Sequence, residues 1–379
     1  MKTPSTPFPT SGYFGEKYFC DRETETNTLL QNLENGLSVT IISIRRMGKT
    51  GLIQHVRHQK ENEYTFIYLD ILHTESLTGL LNALATGIVR SVPETSKPGK
   101  KIWKLVKSLR PVFSFDQFSG MPQIAIDVSP DDAKRDIADL LKVLENHPKK
   151  VIIAIDEFQQ ILDYPEKNTD AWLRGLVQQL NNVHFIFSGS RQHLMTNIFM
   201  DPKRPFYRST QLLKLHKIPA EAYKPFISGH FKKKKRKISD EVIDEILHWT
   251  RRHTYYVQLL CSKVFMTKQK EITTTCWQQE AHKLLEEQKP VFFEYRQLLT
   301  KGQWDLLKAI AIEEAVYTPT AGAFINKHQL SSSAAVLRAL NALLDKELVY
   351  YEFNEEGQKY YQVYDLLLCR WMQQMNIGV

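Results

Sequence analysis

Through its first 215 residues the chain alternates short apolar runs with amphipathic stretches. Val39–Ile44, Tyr64–Ile71, Val151–Ile155, Val183–Ser188 and Gln211–Leu215 are β-branched or aromatic and almost continuously apolar. Strands covered by helices on both faces read this way, so the pattern predicts a mostly parallel sheet. Between them, Leu52–His58, Leu77–Val89, Ala133–Glu145 and Trp172–Asn181 carry the helical period. Such alternation predicts an α/β, doubly wound domain over residues 1–215. One stretch departs from it. Pro111–Val128 alternates about Ser119-Gly120-Met121-Pro122 and reads as an inserted β-hairpin near 111–128. Trp103, Phe113, Phe115 and Phe118 are expected to make the hairpin's buried face, with a partner surface as the other reading.

After Leu215 the pattern turns helical. Glu221–His230, Asp240–His248, Tyr255–Met266 and Thr275–Glu287 predict helices with no strands between them, a lid-like domain over 216–288. Gln303–Glu313, Thr320–Lys327 and Ser331–Lys346 predict three more. Leu348–Phe353 and Lys359–Tyr364 follow as strands joined by Asn354–Gly357, before a last helix from Asp365. Three helices and then a hairpin is the winged-helix order, assigned to 289–379.

Composition excludes more than it identifies. With 42% apolar and 24% charged residues in 379, the chain is an ordinary globular one, long enough for two or three domains. Its apolar runs, such as Val151–Ile155, are far shorter than the ~18 residues of a membrane span, so no membrane partner is expected. The opening residues carry no apolar core of a signal peptide, and the four cysteines are scattered without a CxxC. A cytoplasmic protein with reduced thiols is expected. The net charge of +8 is concentrated, because Lys224–Lys237 holds seven cations and no acid. The Lys232–Lys237 run reads either as a solvated loop or as a patch for an acidic partner or nucleic acid. The twelve histidines form no HxxxH or HExxH pattern.

The candidate chemistry begins at Ser43-Ile44-Arg45-Arg46-Met47-Gly48-Lys49-Thr50, between a predicted strand and a predicted helix. In a P-loop the turn's amides and the helix start cradle phosphates, the lysine reaches the β/γ oxygens, and the hydroxyl holds Mg²⁺. The first glycine of that pattern is Ser43 here, a residue less tolerant of positive φ. Gly-Lys-Thr alone is a common tripeptide. The second signal is Val151–Glu157, a buried strand ending in Asp156 and Glu157 where a ligand lies in α/β sheets. Asp156 is expected to orient Mg²⁺ with Thr50, and Glu157 to polarise an attacking water. Carboxylates after a strand can also simply cap the next helix.

Together these features resemble the P-loop ATPases of the AAA-like, signal-transduction (STAND) type, in particular the group described as "ATPase domain predominantly from Archaea", here with a C-terminal winged helix. The family's aromatic-Gly-Arg-Glu signature, which sits beside the adenine, is matched by Phe19-Cys20-Asp21-Arg22-Glu23, with Asp21 in place of Gly. Its Gly-Pro-Arg-Arg-x-Gly-Lys-Thr loop is matched except at Ser43 and Ile44, which extends the nucleotide contacts over Arg45, Arg46, Met47, Gly48, Lys49, Thr50 and Gly51. Phe187-Ser188-Gly189-Ser190 resembles the sensor strand, with Ser190 near the γ-phosphate, and Pro205–Arg208 the segment whose arginine approaches a nucleotide in cis or from a neighbour. Thr250–Tyr256 stands where relatives carry Gly-x-Pro before an aromatic pair, and both Gly and Pro are absent. The resemblance implies ATP or ADP and Mg²⁺ as cofactors, and slow ATP hydrolysis that drives a conformational switch.

Two rival readings stay open, a DNA-binding regulator with a structural nucleotide and a nucleotide-dependent scaffold for a protein partner. On the third winged-helix helix, Val336, Leu340, Leu343 and Leu344 form a core stripe, while Ala334, Arg338, Asn341 and Asp345 face outward. One arginine and one asparagine against an aspartate make thin support for base reading, so any nucleic-acid binding is expected to be weak and sequence-indifferent.

Overall fold

The computed structural model describes residues 4–116 and 120–377. Its strands are β1 (Val39–Ile42), β2 (Thr65–Asp70), β3 (Val112–Phe115), β4 (Pro122–Ala125), β5 (Val151–Asp156), β6 (Val183–Gly189), β7 (Gln211–Lys214), β8 (Lys237–Ile238), β9 (Glu271–Ile272), β10 (Val349–Phe353) and β11 (Lys359–Val363). The helices are α1 (Glu23–Glu34), α2 (Lys49–Lys60), α3 (Leu77–Ser91), α4 (Lys97–Ser108), α5 (Pro130–Glu145), α6 (Thr169–Val177), α7 (Gln192–Met200), α8 (Ala220–Lys233), α9 (Asp240–Trp249), α10 (Thr254–Met266), α11 (Thr274–Leu298), α12 (Lys301–Glu313), α13 (Gly322–Lys327), α14 (Ser333–Asp345) and α15 (Leu366–Ile377). The chain forms two compact units. One runs to Phe226 and takes in Arg252–Gln258, and the other comprises Ile227–Arg251 and the residues from Leu259 onward.

The first unit is built on a parallel five-stranded sheet in the order β2-β5-β6-β1-β7. Strand pleating sends alternate residues to opposite faces, and both faces are apolar. Along β5, Val151, Ile153 and Ile155 pack with Leu81 and Leu84 of α3 and Leu140 of α5. Ile152 and Ala154 pack with Leu29 and Leu33 of α1 and Leu52 and Val56 of α2. The register sets Ile42 beside Gly189 and Asp70 beside Asp156, so the carboxyl ends of β1, β2, β5 and β6 finish level with one another. This edge carries the candidate chemistry.

The expected α/β sheet is present, with instructive differences. β1 stops at Ile42 because Ser43 and Ile44 already turn into the loop, and α2 begins at Lys49, earlier than its apolar period. Helices α1, α4 and α7 were not legible as such. Ser96 caps α4, and its side chain accepts from the Gly99 amide. The hairpin exists as β3 and β4, but its aromatics do not form a buried face: Phe113 is 46% and Phe115 71% exposed. Phe118 lies outside the described residues.

In the second unit, β8 and β9 form a two-residue parallel pair between helices where none was expected. α11 runs on to Leu298 through Pro290, well beyond Glu287. Thr300 and Gln303 form a reciprocal capping box that starts α12. α12, α13 and α14 precede the antiparallel wing β10–β11, and α15 closes the winged helix. Val336, Leu340 and Leu343 are buried, while Ala334, Arg338, Asn341 and Asp345 are exposed. No disulfide joins the four cysteines, all of which are buried. Among the described residues no helix is long and apolar enough to cross a membrane.

Candidate functional site

A cavity of about 600 Å³ opens at the carboxyl edge of the sheet, within the size range of small-molecule sites. Its floor is the loop from Arg45 to Gly48 with the start of α2, and Phe19, Arg22, Glu157 and Ser190 line its walls. The loop turns through two left-handed residues, Arg46 at φ 60° and Gly48 at φ 99°. Ser43 is not among the positive-φ residues, so the missing glycine costs the backbone nothing.

Lys49 is 6% exposed, and its ammonium donates to the Ser43 carbonyl at 3.2 Å and the Ile44 carbonyl at 3.2 Å. Burial pushes its pKa down to about 8, against the opposing pull of Asp156 and Glu157. The next residue is wired to β5: the Thr50 hydroxyl donates to Asp156 Oδ2 at 2.6 Å. Asp156 also accepts from the Tyr68 hydroxyl at 2.9 Å and, on Oδ1, from the Ser188 hydroxyl at 2.6 Å. One helix and two strands therefore fix this buried carboxylate at the end of β5. The sequence points to Asp156 and, within the sensor-like strand, to Ser190 rather than Ser188; it does not point to Tyr68, and the bonds of Tyr68 and Ser188 to Asp156 depend on the strand register.

Glu157 leaves β5 in a left-handed conformation, φ 57°, which turns its side chain toward β6. Its Oε2 accepts from the Ser190 hydroxyl at 2.8 Å, the Ser190 amide at 3.1 Å and Gln159 Nε2 at 2.6 Å. Arg45 Nε in turn donates to Ser190 Oγ at 3.2 Å, so loop, sensor strand and carboxylate form one chain of bonds. A Cβ at Gly189 would stand 2.1 Å from Gln159 Oε1 and 2.6 Å from Met195 Sδ, so any larger residue there would displace the two side chains that pack under Glu157 and β6.

Arg22 is buried, donating to Glu25 and, at 3.2 Å, to the Met47 carbonyl. Phe19 stacks on His55 of α2 with ring centres 4.4 Å apart. Tyr13 reaches the same imidazole, its hydroxyl 2.8 Å from Nδ1, a contact no local pattern could announce. From the short return of chain at Arg252–Gln258, His253 Nε2 donates to the Arg45 carbonyl at 3.1 Å and Thr254 to the Met47 carbonyl at 3.3 Å. Burial drives His253 down to about 3, which keeps its imidazole neutral. Tyr255 lies under the Arg46 guanidinium at 4.3 Å. This segment thus approaches the loop although Gly and Pro, expected there from the resemblance, are absent.

Of the expected residues, Phe19, Arg22, Arg45–Gly51, Glu157 and Ser190 line the cavity, and Asp156 supports it through Thr50. Arg208 does not line it, and its guanidinium lies against Tyr207, 5.3 Å from the ring centre. Among the described residues no group of three or more His, Cys, Asp or Glu gathers as a metal cluster. A hydroxyl and a carboxylate beside a phosphate-sized cradle is nonetheless the hard-oxygen set that Mg²⁺ takes.

Residues 19–260 match the family described as "ATPase domain predominantly from Archaea", and residues 290–374 the one described as "Probable winged helix domain". No curated protein matches the chain. Among solved structures it is similar to a Walker-type ATPase of Pyrococcus abyssi, 16% identical, with 97% of this chain and 100% of that one covered and a TM-score of 0.66. It is also similar to the ORC2 protein of Aeropyrum pernix in ADPNP–ADP complexes, 12% identical over 98% of each chain, TM-score 0.56. The ORC1 protein of Aeropyrum pernix in complex with DNA gives 12% identity over 98% of this chain and 97% of that one, TM-score 0.53. At these identities the likeness is one of fold.

Proposed function

The chain belongs to the family of ATPase domains found predominantly in Archaea, and on that premise we propose that it holds Mg-ATP in the cavity at the sheet's carboxyl edge and hydrolyses it slowly to time a conformational switch. The observation that carries this reading is the convergence of Lys49, the Thr50–Asp156 pair and Glu157 with its own donors on one cavity. Lys49 would exchange two carbonyls for phosphate oxygens, while the amides of Arg45–Gly51 and the start of α2 add their dipoles. Thr50 and Asp156 would hold Mg²⁺, which supplies neutralisation of phosphate charge when bound. Glu157 is anchored through Oε2 alone, which leaves Oε1 to take a proton from an attacking water. Ser190 would sense the third phosphate through Arg45, and Phe19 and Arg22 would flank the adenine.

Arg208 fits a role completed only by movement or by a neighbouring molecule, which is why the isolated chain should turn over slowly. An arginine supplied late is worth ~10³–10⁵ in rate. The AAA-like, STAND type and the three-part division at 1–215, 216–288 and 289–379 belong to the same proposal, as does a cytoplasmic setting. The deciding experiment is calorimetric titration with ATP and ADP, with and without Mg²⁺, followed by phosphate release. A chain that binds neither nucleotide would end the proposal.

A second reading, nucleotide-assisted nucleic-acid binding, has one observation behind it. Lys232–Lys235 and Lys237 are all exposed, whereas Arg236 is turned inward to the Phe265 and Gln269 carbonyls. Such a patch supports weak, salt-sensitive association rather than base reading. Duplex binding measured by anisotropy should fall when Lys232–Lys235 are changed to Gln and should be indifferent to Arg338→Ala.

A further inference from the structure

The hairpin inserted between β2 and β5 has one finished edge and one open edge. β3 and β4 form a two-stranded sheet of their own. On the far side of β4, side chains of α3 satisfy the main chain. Thr86 Oγ1 accepts from the Ile124 amide at 3.0 Å, Asn82 Oδ1 accepts from the Ile126 amide at 2.8 Å, and Arg90 Nε donates to the Pro122 carbonyl at 2.8 Å. Ile124 and Pro122 therefore point their main-chain groups away from β3. In an antiparallel pair, residues opposite one another share that property. Their partners are Phe113 and Phe115, so these two direct their own N–H and C=O groups outward along β3's free edge.

The side chains there are equally uncovered. Every residue of β3 is exposed, Val112 at 67% and Phe115 at 71%, and Met121 across the hairpin is 53% exposed. An apolar four-residue strand with a bare edge and no charge of its own is an aggregation liability unless something covers it. Around it the charge is one-sided. Lys97, Lys100, Lys101, Lys104, Lys107 and Arg110 lead into β3, against Asp116 and Asp127 in the rest of the hairpin, and among the described residues only Lys107 of the six has an ion-pair partner, Glu94 at 2.5 Å.

We propose that β3 is a docking edge for an extended, acidic segment of a protein partner, which adds as a third strand beside Phe113 and Phe115. The outward main-chain groups would give the ladder, alternate apolar side chains would lie beside the two phenylalanines, and acidic residues would meet the lysines of α4. Three other occupants fit less well. A bilayer would accept the aromatics and lysines but would leave the edge amides unsatisfied in hydrocarbon. A second copy pairing β3 to β3 would bring two sets of like charges together. A single-stranded nucleic acid would stack on rings, yet Phe113 already lies parallel to Trp103 at 6.3 Å and the edge amides would go unused. The proposal stands independently of the nucleotide site.

The test is a displayed library of random twelve-residue peptides panned against the full chain and against the Phe113→Ser/Phe115→Ser variant, with retained ATP titration as the check that the variant is folded. Enriched peptides should alternate Asp or Glu with apolar residues. Synthesised, they should bind in anisotropy with affinity that weakens as salt rises, and should slow amide exchange at Phe113 and Phe115. Methylating alternate peptide nitrogens should cost at least tenfold in affinity while keeping the charge, and the double variant should lose binding similarly. The proposal is overturned by equal enrichment on the variant, by no enrichment, or by binding that ignores N-methylation. It is also overturned if the hairpin instead mediates dimerisation in light scattering, sedimentation with phosphatidylglycerol vesicles, or binding of an oligothymidine probe, each abolished by the double variant.

Discussion

Two regions of the first unit invert the usual placement of side chains in opposite senses. At the carboxyl edge of the sheet, Lys49, Asp156, Ser188 and Ser190 are buried, and each is held by named partners. At the hairpin, Val112, Phe113 and Phe115 are exposed, and main-chain groups point to solvent. Burying charge is costly unless it is paired, and exposing aromatics forgoes the burial that stabilises a fold. The core gains from neither arrangement, which is what the proposed nucleotide site and the proposed docking edge have in common. The difference between them is in bonding: the buried carboxylate is tied to α2, β2 and β6, whereas Phe113 and Phe115 direct their main-chain groups away from the only strand that pairs with β3 among the described residues.

The comparison predicts effects of very different size. Glu157→Gln should keep nucleotide affinity yet lose about 10²–10⁴ in turnover, because the amide cannot take a proton. Phosphate release at saturating Mg-ATP reads this, and wild-type turnover in the variant would remove Glu157 from the chemistry. Next in size is a contrast within one residue type. Phe187→Ala, in a ring cluster with Phe158, Phe199 and Phe206, should cost about 3–5 kcal/mol in denaturant unfolding. Phe115→Ala should change stability by no more than about 0.5 kcal/mol. If both destabilise alike, the hairpin is core and not a waiting surface.

Lys49→Ala should follow, weakening ATP and ADP about 10²-fold in calorimetry with the fold retained, since charge-assisted bonds to phosphate are worth roughly 1.5–3 kcal/mol. Unchanged affinity would contradict the P-loop assignment. The smallest effect is a fraction of a proton. Burial holds Lys49 at about 8 in the free protein, and phosphate would raise it, so ATP binding near pH 8.5 should take up protons and weaken as pH rises further. Near pH 6.5 the lysine is protonated both free and bound, and the uptake should vanish. Titrations in buffers of differing ionisation enthalpy measure it.

How legible was this in the residues? The strands of the sheet were, because both of their faces are apolar, and so was the meeting of Lys49, Thr50 and Glu157 at one cavity with Asp156 behind Thr50, since the ends of adjacent parallel strands fall together. The contacts among them were not. Glu157 with Ser190, Tyr13 with His55 and His253 with Arg45 are joined by tertiary register, which leaves no periodic trace. Alternation at Phe113 and Phe115 correctly announced a strand but could not say whether any layer covers it. The cations of α4 went unremarked beside the denser run at Lys232–Lys237, although the former flank the more unusual surface.

The ordinary backbone at Ser43 has a consequence for how related chains are recognised. A pattern that demands glycine at that position asks for a conformation the loop does not use, and would pass over chains built as this one is. The left-handed turns fall instead at Arg46 and Gly48. A descent traced through those two positions, together with the hydroxyl and the carboxylate they bring to one side, would gather sequences that letter-matching at the first glycine scatters.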